Sequence, residues 1–231
     1  MEGIPELLSG FDGGEVAGIG CGGQMHGLVV LDKDDNVIRP AILWNDGRTT
    51  EETEYLNTVI GKEKLSEYTA NIAFAGFTAP KILWVKKNEP QVYERIWKFM
   101  LPGDYIAYLL TNEVTTTATG LSEGILWDFR DNSRADFVAD YFGIEKDKFA
   151  DIVPAVGVQA RTTAEIEALL GIPAGTPVSY RAGDQPNNAF SLDVLKPGEI
   201  AATGGTSGVV YGVTDVPKAD PESRVNTFLH V

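Results

Sequence analysis

Cysteine is nearly missing from this chain: Cys21 stands alone among 231 residues. A single thiol excludes an internal disulfide and makes a reducing, cytoplasmic compartment the natural setting. Histidine is almost as scarce, with only His26 and His230, and one Cys beside two His argues against a structural zinc site. Positive charge is the next shortage. The 19 Lys and Arg face 33 Asp and Glu, a formal net charge of −14, and no basic cluster breaks the imbalance. Nucleic acid and anionic membranes, which need Lys/Arg patches, are therefore poor partners. No apolar run is long enough to span a bilayer. The opening MEGIPELLSG lacks the basic flank and apolar stretch of a secretion signal. On so acidic a chain, a polyanion such as a nucleotide can bind only where backbone N–H groups, a metal or a local Lys/Arg offset the field.

What is present is enough for a core. Hydrophobic residues make up 43% of the chain, and the length suits one large domain or two small ones. EVAGIGCGG (residues 15–23) reads as a strand. GLVVLD (27–32), the turn KDDN and VIRPAILW (37–44) read as a hairpin. Thr49-Thr50-Glu51-Glu52 forms a capping box for a helix stopping at Gly61. A second helix covers residues 78–87, with Pro80 in its first turn and Lys86 and Lys87 at its C-terminal end. WKFML is a short buried strand, GDYIAYLLT a helix, the Thr- and Gly-rich 113–124 a loop, and SRADFVADYFGI an amphipathic helix. A second capping box, Thr162 to Glu165, opens a helix ending at Gly171. TPVSYRAG is then a strand, QPNNAFSLDVL a helix, and GEIAAT and GVVYGV two strands joined across GGTSG. Alternating strands and helices define an α/β protein. The tail (216–231) ends strand-like with no closing element, so the chain is expected to be incomplete at both ends.

Four stretches carry polar groups where ligands collect. In GDQPNNA (183–189), Asp184 follows a strand, the position where α/β sheets bind ligands, and suits a general base; an Asp at a strand-to-helix junction also serves as an N-cap. In GGQMHG (22–27), Gln24 and His26 offer donors and acceptors for a polyol, and Met25 an adaptable apolar contact; a lone His near a turn also occurs with no chemistry at all. In WNDGR, Trp44 could cover the apolar face of a sugar or simply finish a buried strand, and Asp46 with Arg48 reads as an ion pair or as hydroxyl partners. In GGTSG (204–208), backbone N–H groups with Thr206 and Ser207 could cradle a phosphate, although the same residues make an ordinary hairpin.

Taken together these motifs resemble the FGGY carbohydrate kinases. GFTAPKILWVKKN (76–88) is similar to the first signature of that family, with Lys81, Trp84 and Val85 in its places. GQMHG followed by PAILWNDGR resembles its xylulokinase branch. Residues before Glu15 supply no Asp-x-Gly-Thr strand, the adenosine-binding domain of the family is not matched, and Thr115 to Thr119 and Pro186 differ from familiar versions.

The resemblance implies a ribonuclease H-like/actin-like ATPase fold. Residues 1–212 would be a sugar-binding N-terminal domain lacking its first strands, and 213–231 the start of a link to a nucleotide domain. It implies ATP-dependent phosphorylation of a ketopentose, D-xylulose first, with Asp184 as catalytic base. Met25, His26, Gln185 and Trp44 would touch the sugar; Gly205, Thr206 and Ser207 would bind phosphate. ATP and Mg²⁺ are the implied cofactors, with no metal held by protein ligands alone. The partners are a small-molecule sugar and ATP, with homodimerisation left open. Ribulose, gluconate or glycerol as substrate, a non-catalytic sugar-binding module and an actin-like ATPase without a sugar are the alternatives. These 231 residues alone are expected to be inactive as a kinase.

Overall fold

A computed structural model describes residues 3–205 and 208–231. The chain begins with α1 (Gly3–Leu7), β1 (Ile19–Gly23) and β2 (Val29–Leu31), followed by α2 (Thr50–Leu56), α3 (Lys62–Thr69), α4 (Thr78–Asn88) and α5 (Pro90–Arg95). Next come β3 (Lys98–Met100), α6 (Pro102–Thr111), β4 (Thr115–Thr117), α7 (Ala118–Glu123), β5 (Trp127–Asp128), β6 (Ser133–Arg134) and α8 (Asp136–Phe142). The last third holds β7 (Asp151–Val153), β8 (Val156–Arg161), α9 (Ala164–Leu170), β9 (Pro177–Gly183), α10 (Asp184–Ser191), β10 (Ile200–Gly204) and β11 (Gly208–Gly212).

The sheet that matters for function is β1-β9-β8. β1 and β9 run parallel, with Gly22 opposite Ala182 and Gly23 opposite Gly183; β8 lies antiparallel on the far side of β9. β2 pairs antiparallel with β3, β4 parallel with β7, and β10 with β11 as an antiparallel hairpin. The glycines of β1 have a steric cause. A Cβ on Gly22 would come 3.0 Å from the Asn187 side-chain nitrogen, and one on Gly23 would come 3.1 Å from the Gly103 Cα. A side chain at Gly23 would press on the backbone of α6, and one at Gly22 would displace the Asn187 side chain.

The main core joins Leu28, Val30 and Ile42 to Leu56, Leu65 and the buried face of α4. Each fully buried Leu or Ile there contributes about 1.5–3 kcal/mol. A second core packs Cys21 and Val178 of the sheet against Ala107 and Leu110 of α6 and Ile166 and Leu170 of α9. Burial raises the Cys21 thiol pKa.

Several expectations are corrected. Residues Gly13–Glu15 form a 3₁₀ turn capped by Asp12, so the first strand starts only at Ile19. The hairpin after it is not continuous: β2 takes β3 as its ladder partner, and the returning residues make only the isolated bridges Leu31–Val37 and Leu28–Ile42. Pro40, without an N–H, sits in that returning stretch and cannot extend a ladder. Neither capping box forms as read. Thr49 gives its hydroxyl to the Ala75 carbonyl (2.7 Å), and Glu52 pairs with Lys87 instead. The later helix is capped by Thr163, which accepts from the Ile166 N–H, while the Thr162 hydroxyl donates to the Pro173 carbonyl. A π-helical turn, Asn57–Gly61, continues α2 to Gly61, where φ of 95° breaks the run.

The largest correction is the Thr-rich loop, which is β4 and α7. Thr117 caps α7 by accepting from the Gly120 N–H (3.1 Å), and the Thr117 and Thr119 hydroxyls pair at 2.8 Å. Hydroxyls that satisfy one another can be buried, and a run of β-branched residues fits a strand.

The tail folds back on the domain. Asn71 binds the main chain of Thr227 in both directions, donating to its carbonyl and accepting from its N–H. Leu229 N–H donates to the Ser122 hydroxyl, and Phe228 and Leu229 pack on the main core.

Candidate functional site

Because Gly23 and Gly183 are register partners in parallel strands, the residues that follow them leave the sheet at the same edge. That edge is the carboxyl end of both strands, where α/β proteins collect ligands. Gln24, Met25 and His26 follow β1; Asp184 and Gln185 open α10 after β9. Met25 is buried against Gly183: a Cβ there would fall 2.4 Å from the Met25 Cγ and 3.2 Å from a Glu123 carboxyl oxygen. Glycine at 183 is what lets the two segments touch. A cleft beside them is lined by Gly23, Gln24, Thr117, Glu123, Arg181 and Gly183.

His26 adopts φ of 66° in the left-handed region. Its N–H donates to the Glu123 carboxylate at 2.9 Å, and its Nδ1 lies 2.7 Å from the Glu123 carbonyl oxygen. A carbonyl carries no proton, so Nδ1 is the protonated nitrogen and Nε2 keeps its lone pair. The His26 carbonyl accepts from Lys81 Nζ at 2.7 Å and from the Thr78 hydroxyl at 3.2 Å. Phe77 and Phe228 flank the ring, with centroids at 4.8 and 5.6 Å. Burial pulls the His26 pKa down to about 4, against the opposing Glu123 carbonyl bond; Lys81 adds to the fall and Asp184 resists it. The imidazole is thus neutral at pH 7, a donor at one nitrogen and an acceptor at the other.

Lys81, the signature lysine, is fully buried and ties the His26 and Gly76 carbonyls together. Desolvation lowers its pKa to about 8, with Asp46 and Glu123 opposing. Trp84 of the same helix has the Arg48 guanidinium 4.8 Å from its ring centroid and that of Arg39 at 5.9 Å. Val85 is wholly buried. Lys81 thus supports His26 from the side of its carbonyl.

Asp184 is the first residue of α10 but not its cap: Gly183 holds the N-cap position, and no side chain caps the helix. The capping alternative is set aside. The Asp184 carboxylate is exposed and accepts from Gln185 Nε2 at 2.9 Å. Its charge is felt at both His26 and Glu123. Trp44 is 59% exposed, so it does not finish a buried strand. Its main chain touches Gly76, where a Cβ would meet the Trp44 carbonyl oxygen at 2.8 Å. Asp46 and Arg48 form a two-bonded ion pair (2.9 and 2.8 Å), which lowers the Asp46 pKa. Gly205 lies exposed just beyond β10; Thr206 and Ser207 lie outside the described residues. Among the described residues no group of three or more His, Cys, Asp or Glu is gathered to hold a metal, and no helix is long and apolar enough to cross a membrane.

Sequence reading missed Glu123. It is buried at 3% exposure, and burial raises its pKa well above the ordinary carboxylate range, the Asp104 and Asp184 charges adding to the rise. The signal was an acid inside the otherwise apolar LSEGILW. Also missed was the buried pair of Arg181 and Asp104 under the cleft, at 3.0 Å.

The fold is that of the actin-like ATPase class to which carbohydrate kinases belong. The model of the FGGY family of carbohydrate kinases, N-terminal domain, matches residues 4–191, and the chain belongs to that family. It is 32% identical to the xylulose kinase of Staphylococcus xylosus, an alignment covering all of this chain and 48% of that protein. It is 34% identical to the xylulose kinase of Klebsiella pneumoniae, over 93% and 44%. Among solved structures, a "xyloylose kinase" from Brucella ovis superposes with a TM-score of 0.88 at 32% identity, covering 98% of this chain and 47% of that one. Xylulose kinase from Rhodospirillum rubrum gives 0.90 at 27%, over 98% and 46%. The chain spans about half the length of the relatives it matches.

Proposed function

We propose that these residues form the sugar-binding, base-bearing part of an ATP-dependent ketopentose kinase, with D-xylulose phosphorylated on its terminal hydroxyl. The observation that carries this is the register match of Gly23 with Gly183, which brings a neutral imidazole and an exposed carboxylate out at one sheet edge. His26 Nε2 accepts from one sugar hydroxyl, Gln185 and Met25 orient the chain of the sugar, and the exposed Trp44 covers its apolar face. Asp184 takes the proton of the attacking hydroxyl as that oxygen bonds to the γ-phosphorus. The bond from the γ-phosphorus to its bridging oxygen breaks, and ADP leaves. The main-chain N–H groups from Gly205 through Ser207 receive the phosphoryl oxygens. Mg²⁺ would supply positive charge that neutralises the oxygens of the transferring phosphoryl group.

The relatives' names support the sugar and the reaction class. Asp104 and Asp184 both help to raise the Glu123 pKa, and this crowding of acids favours a neutral substrate over gluconate. Residues 1–212 would form the sugar unit and 213–231 the segment leading from it. A lone, buried thiol suits a cytoplasmic setting.

The test is a coupled assay with D-xylulose, ATP and Mg²⁺ on a protein carrying these residues in a chain of its relatives' length. Asp184→Asn should keep sugar affinity and lose roughly 10²–10⁴-fold in turnover. Unchanged turnover removes Asp184 as the base. Greater turnover on ribulose, gluconate or glycerol reassigns the substrate.

A further inference from the structure

His26 is held in a left-handed conformation that a non-glycine residue rarely adopts, and one residue contacts both its main chain and its ring. Glu123, 97 positions further along the chain, accepts the His26 N–H through its carboxylate and faces Nδ1 with its main-chain carbonyl. Its second carboxyl oxygen lies against Gly183, the residue before Asp184. Phe77 and Phe228 constrain the plane of the imidazole but cannot choose between its two nitrogens. Lys81 and Thr78 hold the His26 carbonyl on the other side and leave the choice equally open.

We propose that Glu123 is a positioning residue of the sugar site: its side chain fixes the left-handed main chain of His26, so that Nδ1–H is spent on the Glu123 carbonyl and Nε2 is left as an acceptor for a sugar hydroxyl. This rests on the sugar-site reading above but makes a claim of its own about the ring. A buried acid in contact with a main-chain N–H is tolerated because it has that partner; without it, the carboxyl would be an unpartnered polar group in the core. His26, in turn, would lose the contact that makes its backbone conformation worth keeping.

The experiment is nitrogen-15 spectroscopy of the imidazoles in the 231-residue chain, with His230→Gln used to assign the two rings, alongside calorimetric titration of D-xylulose. The wild type should show His26 as the neutral Nδ1–H form from pH 7.5 down to about pH 5, consistent with its lowered pKa. Glu123→Ala should release the ring into tautomer exchange and weaken D-xylulose binding about tenfold, the loss of one hydrogen bond. Glu123→Gln, which still offers an oxygen to the His26 N–H, should restore the tautomer. If the Ala variant loses amide dispersion, Glu123→Asp, one methylene too short to reach, is read in its place.

A wild-type ring in the Nε2–H form overturns the proposal at once. So does an Ala or Asp variant with an unchanged tautomer. If the tautomer responds to Glu123 while the wild type fails to bind D-xylulose, the positioning role stands and the substrate reading falls. If D-xylulose binds the wild type and the Ala variant equally, the substrate reading stands and the positioning role falls.

Discussion

Arg181 donates to Asp104 at 3.0 Å with both side chains buried, and the same guanidinium reaches the carbonyl and the hydroxyl of Thr115, each at 2.8 Å. Three elements meet in this contact: β9, which ends at Gly183, just before Asp184; α6, whose first turn Asp104 closes by accepting the Leu101 N–H; and β4. Breaking one side of such a pair leaves an uncompensated buried charge. Asp104→Ala should therefore cost about 3–5 kcal/mol in urea unfolding. The double change Asp104→Leu with Arg181→Met removes both charges and should recover most of that loss. A cost below about 1 kcal/mol for Asp104→Ala would show the pair to be dispensable.

Gly183→Ala tests the contact between the two site segments. The added methyl meets the Met25 Cγ at 2.4 Å, and Met25 is itself buried. Overpacking of this kind costs about 1–3 kcal/mol, and the displaced Met25 should also weaken sugar binding. Gly47→Ala is the control, since nothing lies within 4 Å of its Cβ position. Chemical denaturation of both variants checks this; equal midpoints would mean the segments do not press together.

The neutral His26 ring gives stability a definite pH dependence. Its pKa is about 4 in the folded chain against an ordinary 6.5, so between those values the unfolded state binds the extra proton. The contribution is complete above pH 6.5 and is lost as pH falls towards 4. Relative to His26→Gln, the wild type should lose about 2 kcal/mol between pH 7 and pH 5. Parallel unfolding curves for the two proteins across that range would contradict the buried neutral imidazole.

Trp44→Ala separates site from scaffold. The indole is 59% exposed, so its removal should change stability by no more than about 0.5 kcal/mol. If the ring covers a bound sugar, D-xylulose affinity should still fall severalfold. A large loss of stability with no change in affinity would reverse that assignment.

Much of this was legible in the residues. Strand and junction around Gly183 read correctly because a β-rich run gave way to a Pro-containing helix start, although the helix stops at Ser191 short of the expected Leu195, and the hairpin of β10 and β11 read correctly because glycines bound it. The Thr-rich segment misled because its hydroxyls and glycines suggested a solvated loop; pairing of β4 with β7 and mutual hydroxyl bonding satisfy those groups and let β-branched threonine take its strand preference. Glu123 stood out as an acid in an apolar run, but its role was hidden for the same reason. Its partner is a main-chain N–H far away in sequence, and no local spacing encodes that. Thr49 failed as a cap because the Ala75 carbonyl, brought close by folding, took its hydroxyl.

The central claim is that His26 and Asp184 leave the same sheet edge to hold a neutral polyol. Calorimetric titration of D-xylulose into the wild type and into His26→Ala tests it most directly. Saturable binding that weakens about tenfold or more on loss of the imidazole, the value of a hydrogen bond from a buried group, is the expected result. Affinity indifferent to His26, or no saturable binding in the wild type, would contradict it.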